Sequence, residues 1–214
     1  ENMIGRSVPG YASSLKLIQT FAVKYFQKNS KCYDLGCSLG AVTQILFKAT
    51  EEKEGKIIAI DNSKAMIDSC KQRFIDLIVS GRVEFIEQDL TNIDISNASI
   101  VVINFVLQFL DVSERTSLLE RVYEGMISGG RLVLSEKIHF DSESRTEVIS
   151  KLHHQFKADN GYTEMEISRK RDALEGVLVT ETETKYLQRL ESIGFKKVRK
   201  EMSNLNFMTL VIEK

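Results

Sequence analysis

Apolar residues along this chain follow two periods that alternate. Residues 11–27 carry Leu15, Ile18, Ala22 and Phe26 at spacings of three and four, the stripe of an amphipathic helix. Ser13 or Ser14 is placed to cap its start. Lys31-Cys32-Tyr33-Asp34-Leu35-Gly36 then reads as a short strand running into glycines, and 41–50 returns to helical spacing through Val42, Ile45, Leu46 and Ala49. Ile57-Ile58-Ala59-Ile60 is apolar without interruption, as expected of a strand buried on both faces. Asp61 ends it, and Ser63 is positioned to cap a helix whose apolar face includes Met66 and Ile67.

The alternation continues through strands at Val83-Glu84-Phe85-Ile86 and Ile100 to Phe105, a helix over roughly 113–127, and a Gly129-Gly130 turn into a strand from Arg131 to Ser135. Strands alternating with helices imply a parallel sheet covered on both sides. Residues 142–193 break the pattern, being polar and mostly helical with no clear strand. The segments Lys196 to Met202 and Phe207 to Glu213 read as strands joined by Ser203-Asn204-Leu205-Asn206, a link short enough to require an antiparallel pair. The expected fold is therefore α/β and Rossmann-like, a mostly parallel sheet closed by a C-terminal antiparallel hairpin with a helical insertion before it. This is the class I S-adenosyl-L-methionine (SAM) methyltransferase plan. Residues 1–214 are expected to form one domain, with 1–10 as an N-terminal arm.

Composition narrows the setting. A formal charge of −1 gives no global reason to expect nucleic acid or an anionic membrane as a partner. Three cysteines, Cys32, Cys37 and Cys70, do not suggest a disulfide framework, so a reducing, cytoplasmic compartment is expected. No run is apolar enough to span a bilayer and no signal-peptide pattern opens the chain. No metal site is expected.

The chemistry centres on Asp34-Leu35-Gly36-Cys37-Ser38-Leu39-Gly40, between the first strand and its helix. Glycines let backbone approach a ligand, and a helix start offers free N–H groups. The D-x-G-x-x-x-G spacing resembles the first motif of class I SAM-dependent methyltransferases, which implies that Asp34 faces the methionyl amine. Asp61, 21 positions after Gly40, can accept both hydroxyls of a ribose. Asp89 follows the third strand, placed to meet the adenine amino group. The same residues spell G-x-S-x-G, the hydrolase nucleophile elbow, but the motif follows the first strand and no histidine among His139, His153 and His154 sits in a suitable terminal loop. Cys37 reads as a spectator, with no base nearby in sequence.

More specific stretches resemble the carboxy-S-adenosyl-L-methionine synthase family. They are Arg6 to Tyr11, Asp34 to Gly40, Ile57 to Ser63, Asn104-Phe105 with Leu107 to Leu110, Leu134 to Lys137, and Phe156-Lys157 through Lys170-Arg171. The resemblance runs from about residue 4 to the C-terminal hairpin, and Ser38 is what that family carries. It implies conversion of SAM and prephenate to carboxy-SAM and phenylpyruvate, supplying a carboxymethyl donor for tRNA wobble-uridine modification by another enzyme. It also implies that Tyr11, Gly36, Cys37, Ser38, Asp61, Asn62, Asp89, Leu90 and Asn104 line the ligand site. Arg171 is implied to bind the added carboxylate from the partner chain of a homodimer, through the 142–193 insertion. A guanidinium suits that carboxylate because it donates two parallel hydrogen bonds. No direct nucleic-acid contact and no general base are implied. An ordinary SAM-dependent methyltransferase and a non-catalytic SAM-fold scaffold are the competing readings.

Overall fold

The computed structural model describes residues 2–174 and 176–214, with the side chains of Asn2, Met3, Lys170 and Arg171 outside the description. In chain order the elements are α1 (Asn2–Ser7), α2 (Tyr11–Tyr25), β1 (Lys31–Leu35), α3 (Ala41–Thr50), β2 (Lys56–Asp61), α4 (Lys64–Arg73), α5 (Ile75–Val79) and β3 (Val83–Glu87). They continue with β4 (Ala98–Asn104), α6 (Val112–Gly125), β5 (Met126–His139), α7 (Glu143–Asp159), α8 (Glu164–Leu174), β6 (Glu181–Thr182), α9 (Glu183–Ile193), β7 (Lys197–Asn204) and β8 (Phe207–Glu213).

The strands pair in the order β3-β2-β1-β4-β5-β8-β7. Every pairing from β3 to β5 is parallel, while β8 is antiparallel to both β5 and β7. The apolar runs divide between two cores by strand parity. Tyr33, Leu35, Ile58, Ile60, Val101, Ile103, Leu132 and Leu134 face α6 and α9, whose Leu118, Leu119, Val122, Tyr186 and Leu190 complete that layer. Cys32, Ile57, Ala59, Ile100, Val102 and Val133 face the other way, onto Ile18 and Ala22 of α2, Val42 and Leu46 of α3, and Ile67 of α4. Burial on both faces is why the central strands lack polar alternation.

Several local expectations are corrected. The cap of α2 is Gly10 in a left-handed conformation; Ser14 lies inside the helix and its hydroxyl donates to the Tyr11 carbonyl. The glycine pair 129–130 falls within β5, at an irregularity where the register with β4 shifts between Ala98 and Ile100. That strand also runs past Ser135 to His139, adding Glu136 and Lys137 to the sheet. The 142–193 segment contains β6, which pairs parallel with Ile138 and His139. Two residues are too few for a period to show, and Glu181 is buried because Arg115 neutralises it at 2.7 Å. The C-terminal link shortens to Leu205 and Asn206, since β7 extends to Asn204.

The N-terminal arm is helical and tied to the insertion. Arg6 Nε donates to the Asn160 carbonyl at 2.6 Å, and its guanidinium lies over the Tyr162 ring. His153 Nε2 donates to the Ser7 carbonyl at 2.8 Å.

Candidate active site

A cavity of about 460 Å³ lies at the C-terminal ends of the parallel strands. Gly36 and Ser38 reach it from the loop after β1, Asp61 and Asn62 from the end of β2, and Asp89 and Leu90 from beyond β3. Asn104, Phe105, Val106, Gln108, Phe109 and Leu110 line it from the end of β4 onward. The N-terminal segment, β5, α7, Leu174, Leu178 and Phe207 close the rest.

The first loop is held by backbone. Gly36 and Cys37 donate their N–H groups to the Ile60 carbonyl, at 2.8 and 2.9 Å. Gly36 has φ 78°, and a Cβ there would stand 2.5 Å from Val106 Cγ2, so both conformation and the approach of the β4 loop require glycine. Ser38 adopts a left-handed φ of 48° without being glycine, as does Phe105 at 64°. Such strained residues concentrate where a site needs a fixed backbone. Asp61 receives the Ser38 N–H on one carboxylate oxygen and the Ser63 N–H on the other, both at 2.9 Å. It thus ties the first loop to the start of α4, where Ser63 is the cap. Asp89 accepts the Thr91 N–H at 2.8 Å, which holds its carboxyl below the usual carboxylate range. Asn104 supplies a buried Oδ1 that has no hydrogen-bond partner among the described residues, an acceptor suited to an ammonium.

Other sequence-derived residues stand behind this surface. Asp34 lies between Tyr33 and Leu35, so strand parity turns it toward α3. There it accepts the Thr43 hydroxyl at 2.6 Å, and burial lifts its carboxyl to about 7 against that bond. Its carboxylate supports the loop and does not line the cavity. Cys37 is buried, and its contact with the Cys70 thiol, with burial, pushes its own thiol far above the ordinary value, the opposite of a reactive thiolate. Gly40 caps α3, where a Cβ would meet Phe74 at 2.5 Å. Tyr11 packs its ring 6.5 Å from that of Phe105. The backbone of Arg171 belongs to α8, while its side chain lies outside the described residues. The elbow reading finds no support, because no histidine hydrogen-bonds the Ser38 hydroxyl among the described residues. The rings of His139 and His153 are bonded to Thr180 and Ser7.

Sequence reasoning missed Glu136. It is fully buried and receives N–H groups from Val106 and Leu107 on Oε1, at 3.1 and 2.8 Å, and from Gln108 on Oε2 at 3.1 Å. The carboxylate therefore fixes the cavity loop after β4. Burial nonetheless raises its carboxyl to about 8. A folded-state value above the unfolded one means the native protein retains a proton that the unfolded chain has released. Its contribution is full below the unfolded value and fades as pH rises through the folded one. Stability should fall by about 1 kcal/mol between pH 7 and 8, and Glu136→Gln should remove that slope in urea titrations.

No helix among the described residues is long and apolar enough to cross a membrane. Nor does any group of three or more His, Cys, Asp or Glu among them stand ready to hold a metal ion.

The strand order, the glycine loop and the acids at successive strand ends define a class I SAM-methyltransferase fold. A methyltransferase-domain family model matches residues 33–130. A solved structure assigned as a SAM-dependent methyltransferase of Methanococcus maripaludis superposes with TM-score 0.62 at 20% identity, covering 100% of this chain and 90% of that one. Curated carboxy-S-adenosyl-L-methionine synthases are far nearer in sequence. That of Photorhabdus laumondii is 46% identical over 98% of this chain and 83% of its own, and that of Escherichia coli 44% identical over 98% and 85%. The chain belongs to the carboxy-S-adenosyl-L-methionine synthase family.

Proposed function

We propose that the protein carboxylates SAM, using prephenate as the donor and releasing phenylpyruvate. The observation that carries this reading is the match to the synthases over 98% of this chain, combined with one cavity that gathers Gly36, Asp61, Asp89 and Asn104. These residues fit SAM. Asp61 offers its remaining lone pairs to the ribose hydroxyls, Asp89 a carboxylate to the adenine amine, and Asn104 Oδ1 an acceptor to the amino-acid ammonium. Gly36 leaves room for a close backbone approach. Asn62, Leu90 and Ser38 complete the surface, with Tyr11 behind it.

The reaction balances without an external base. The ring carboxylate of prephenate leaves as carbon dioxide, its electron pair aromatises the ring, and the ring hydroxyl departs as hydroxide. Hydroxide takes a proton from the sulfur-bound methyl group and becomes water. That carbon then bonds the carbon dioxide. The protein's part is positioning, charge stabilisation and exclusion of water. Mass spectrometry of protein with SAM and prephenate should show SAM gaining one carboxyl group and prephenate becoming phenylpyruvate. Methyl transfer to another acceptor with neither product would favour an ordinary methyltransferase. The family-model match alone does not separate the two, because residues 33–130 stop before the insertion and the C-terminal hairpin.

Asp61→Ala is expected to weaken SAM binding by about 1.5–3 kcal/mol, the range for hydrogen bonds to charged groups. Calorimetry on folded variant reads this, and unchanged affinity would remove Asp61 from the ribose site.

The working unit is proposed to be a homodimer in which Arg171 reaches the partner's site. Val148 and Leu152, four apart on α7, and Met165 on α8, the helix that carries Arg171, are exposed apolar residues, which supports a second copy there. The donor formed is taken to serve tRNA wobble-uridine modification by a separate enzyme, with no direct nucleic-acid contact here. Three buried, unpaired thiols support a cytoplasmic setting.

A further inference from the structure

The cavity has a second pole that the SAM contacts above leave unused. It continues past β4 to the end of β5, where Lys137 lines it together with Lys157 and His153 of α7. Two strands, β1 and β4, separate β2 from β5. Three strand spacings, about 14 Å, therefore divide the Asp61 end from the Lys137 end. One pole is acidic and the other basic.

Lys137 is half-buried, and its ammonium pairs with no carboxylate among the described residues. Neighbouring Glu136 is turned by strand parity to the opposite side of the sheet, where the 106–108 amides occupy it. His153 contributes a wall and no charge. Its Nε2–H is committed to the Ser7 carbonyl, and burial holds its ring near 4, hence neutral at physiological pH. Positive charge at this pole comes from the lysines. Beside them stands an aromatic wall, in which Phe207 meets Phe105 edge-on at 5.8 Å and His153 at 5.0 Å. An ammonium beside packed rings suits an acid carried on a six-membered ring.

We infer that Lys137, assisted by Lys157, forms the subsite for the carboxylate that the second substrate keeps. This rests on the proposed reaction. Prephenate bears two carboxylates with different fates. The ring carboxylate is lost and must lie against the S-methyl carbon, over β1 and β4. An ammonium bound to it would stabilise the ground state and oppose its departure. The side-chain carboxylate survives in phenylpyruvate at the end of the pyruvyl arm, which springs from the same ring carbon and reaches about one strand spacing, from β4 to the neighbouring β5 pole. The lysines thereby set the direction of the substrate as well as its affinity.

The test uses full-length protein, SAM, prephenate and phenylpyruvate. Turnover by wild type is measured first. In Lys137→Met the KM for prephenate should rise on the order of 10- to 100-fold, the value of one charged hydrogen bond, with SAM affinity unchanged and kcat affected less. The inhibition constant of phenylpyruvate should rise by the same factor, because that product retains the bound group. Lys137→Arg should recover most of both. A Lys137→Met protein with wild-type KM and intact SAM binding would overturn the subsite and leave the proposed reaction standing. Parallel loss of SAM affinity would also overturn it, reassigning Lys137 to support of the β4 loop. If wild type makes no carboxylated product, the reaction itself falls. Direct calorimetry of phenylpyruvate then decides the subsite: weaker binding to Lys137→Met upholds it for aryl keto acids, and equal binding removes it.

Discussion

Replacing Glu181 by alanine is expected to destabilise the protein by about 3–5 kcal/mol, the cost of stranding a buried charge. Arg115 is fully buried on α6, and its Nη1 donates to Glu181 at 2.7 Å. Its remaining donors reach the carbonyls of Leu110 and Val179, at 3.0 and 2.8 Å from Nη2. Arg189 of α9 closes the other side of the carboxylate with two bonds, at 2.9 and 2.7 Å. One carboxylate thus clasps α6, α9 and β6, together with segments that border the cavity. Burial pushes the Glu181 carboxyl up, but Arg189 and Arg115 outweigh it and hold it below its usual value. The sign follows: its contribution is full above the unfolded carboxyl value and is lost as pH falls through the folded one. Urea unfolding at neutral pH measures the loss. Pairing Glu181→Leu with Arg115→Met should restore part of it, because the charge that cannot reach water is gone. A loss under 1 kcal/mol would mean that Arg115 finds water once its partner is removed.

The second large effect concerns ligand discrimination. Arg171→Ala should weaken carboxy-SAM more than SAM, with a difference of about 2–5 kcal/mol if the pair is desolvated. The added carboxylate satisfies a guanidinium bidentately, whereas a methyl group offers it nothing. Arg171→Lys should recover only part, since an ammonium lacks the planar fork. Calorimetry of both ligands against wild type and both variants reads the difference, and equal losses would confine Arg171 to the fold or the dimer. Mixing Arg171→Ala with Asp61→Ala protein tests the partner contribution. A mixed dimer holds one site with both native residues, so activity should return once subunits exchange. No recovery despite proven exchange would exclude completion across the interface.

Much of this was legible in the sequence because it rests on local pattern. The uninterrupted apolar runs at 57–60 and 100–103 marked central strands, and Asp61 and Asp89, after β2 and β3, marked the cavity rim. Parity could also have been read at Asp34: flanked by two residues of one core, it belongs to the other. Lys137 and Glu136 were less accessible. They lie beyond the apolar stretch of β5, where nothing announces that the strand continues, and their partners are 28 to 30 residues away on another loop. β6 escaped notice because its place depends on Arg115 rather than on periodicity. Arg171 stands in a run of charge that spacing alone cannot distinguish from a solvated helix face.

The alternation of β5 has an evolutionary consequence. Position 136 answers to the protein's own loop, and position 137 to whatever occupies the cavity. Mutational drift at one is invisible to the other, so selection can retune substrate choice without reopening the question of loop architecture. Adjacent codons are in this sense independent loci. A descendant that accepts a different acid could arise by a change confined to position 137.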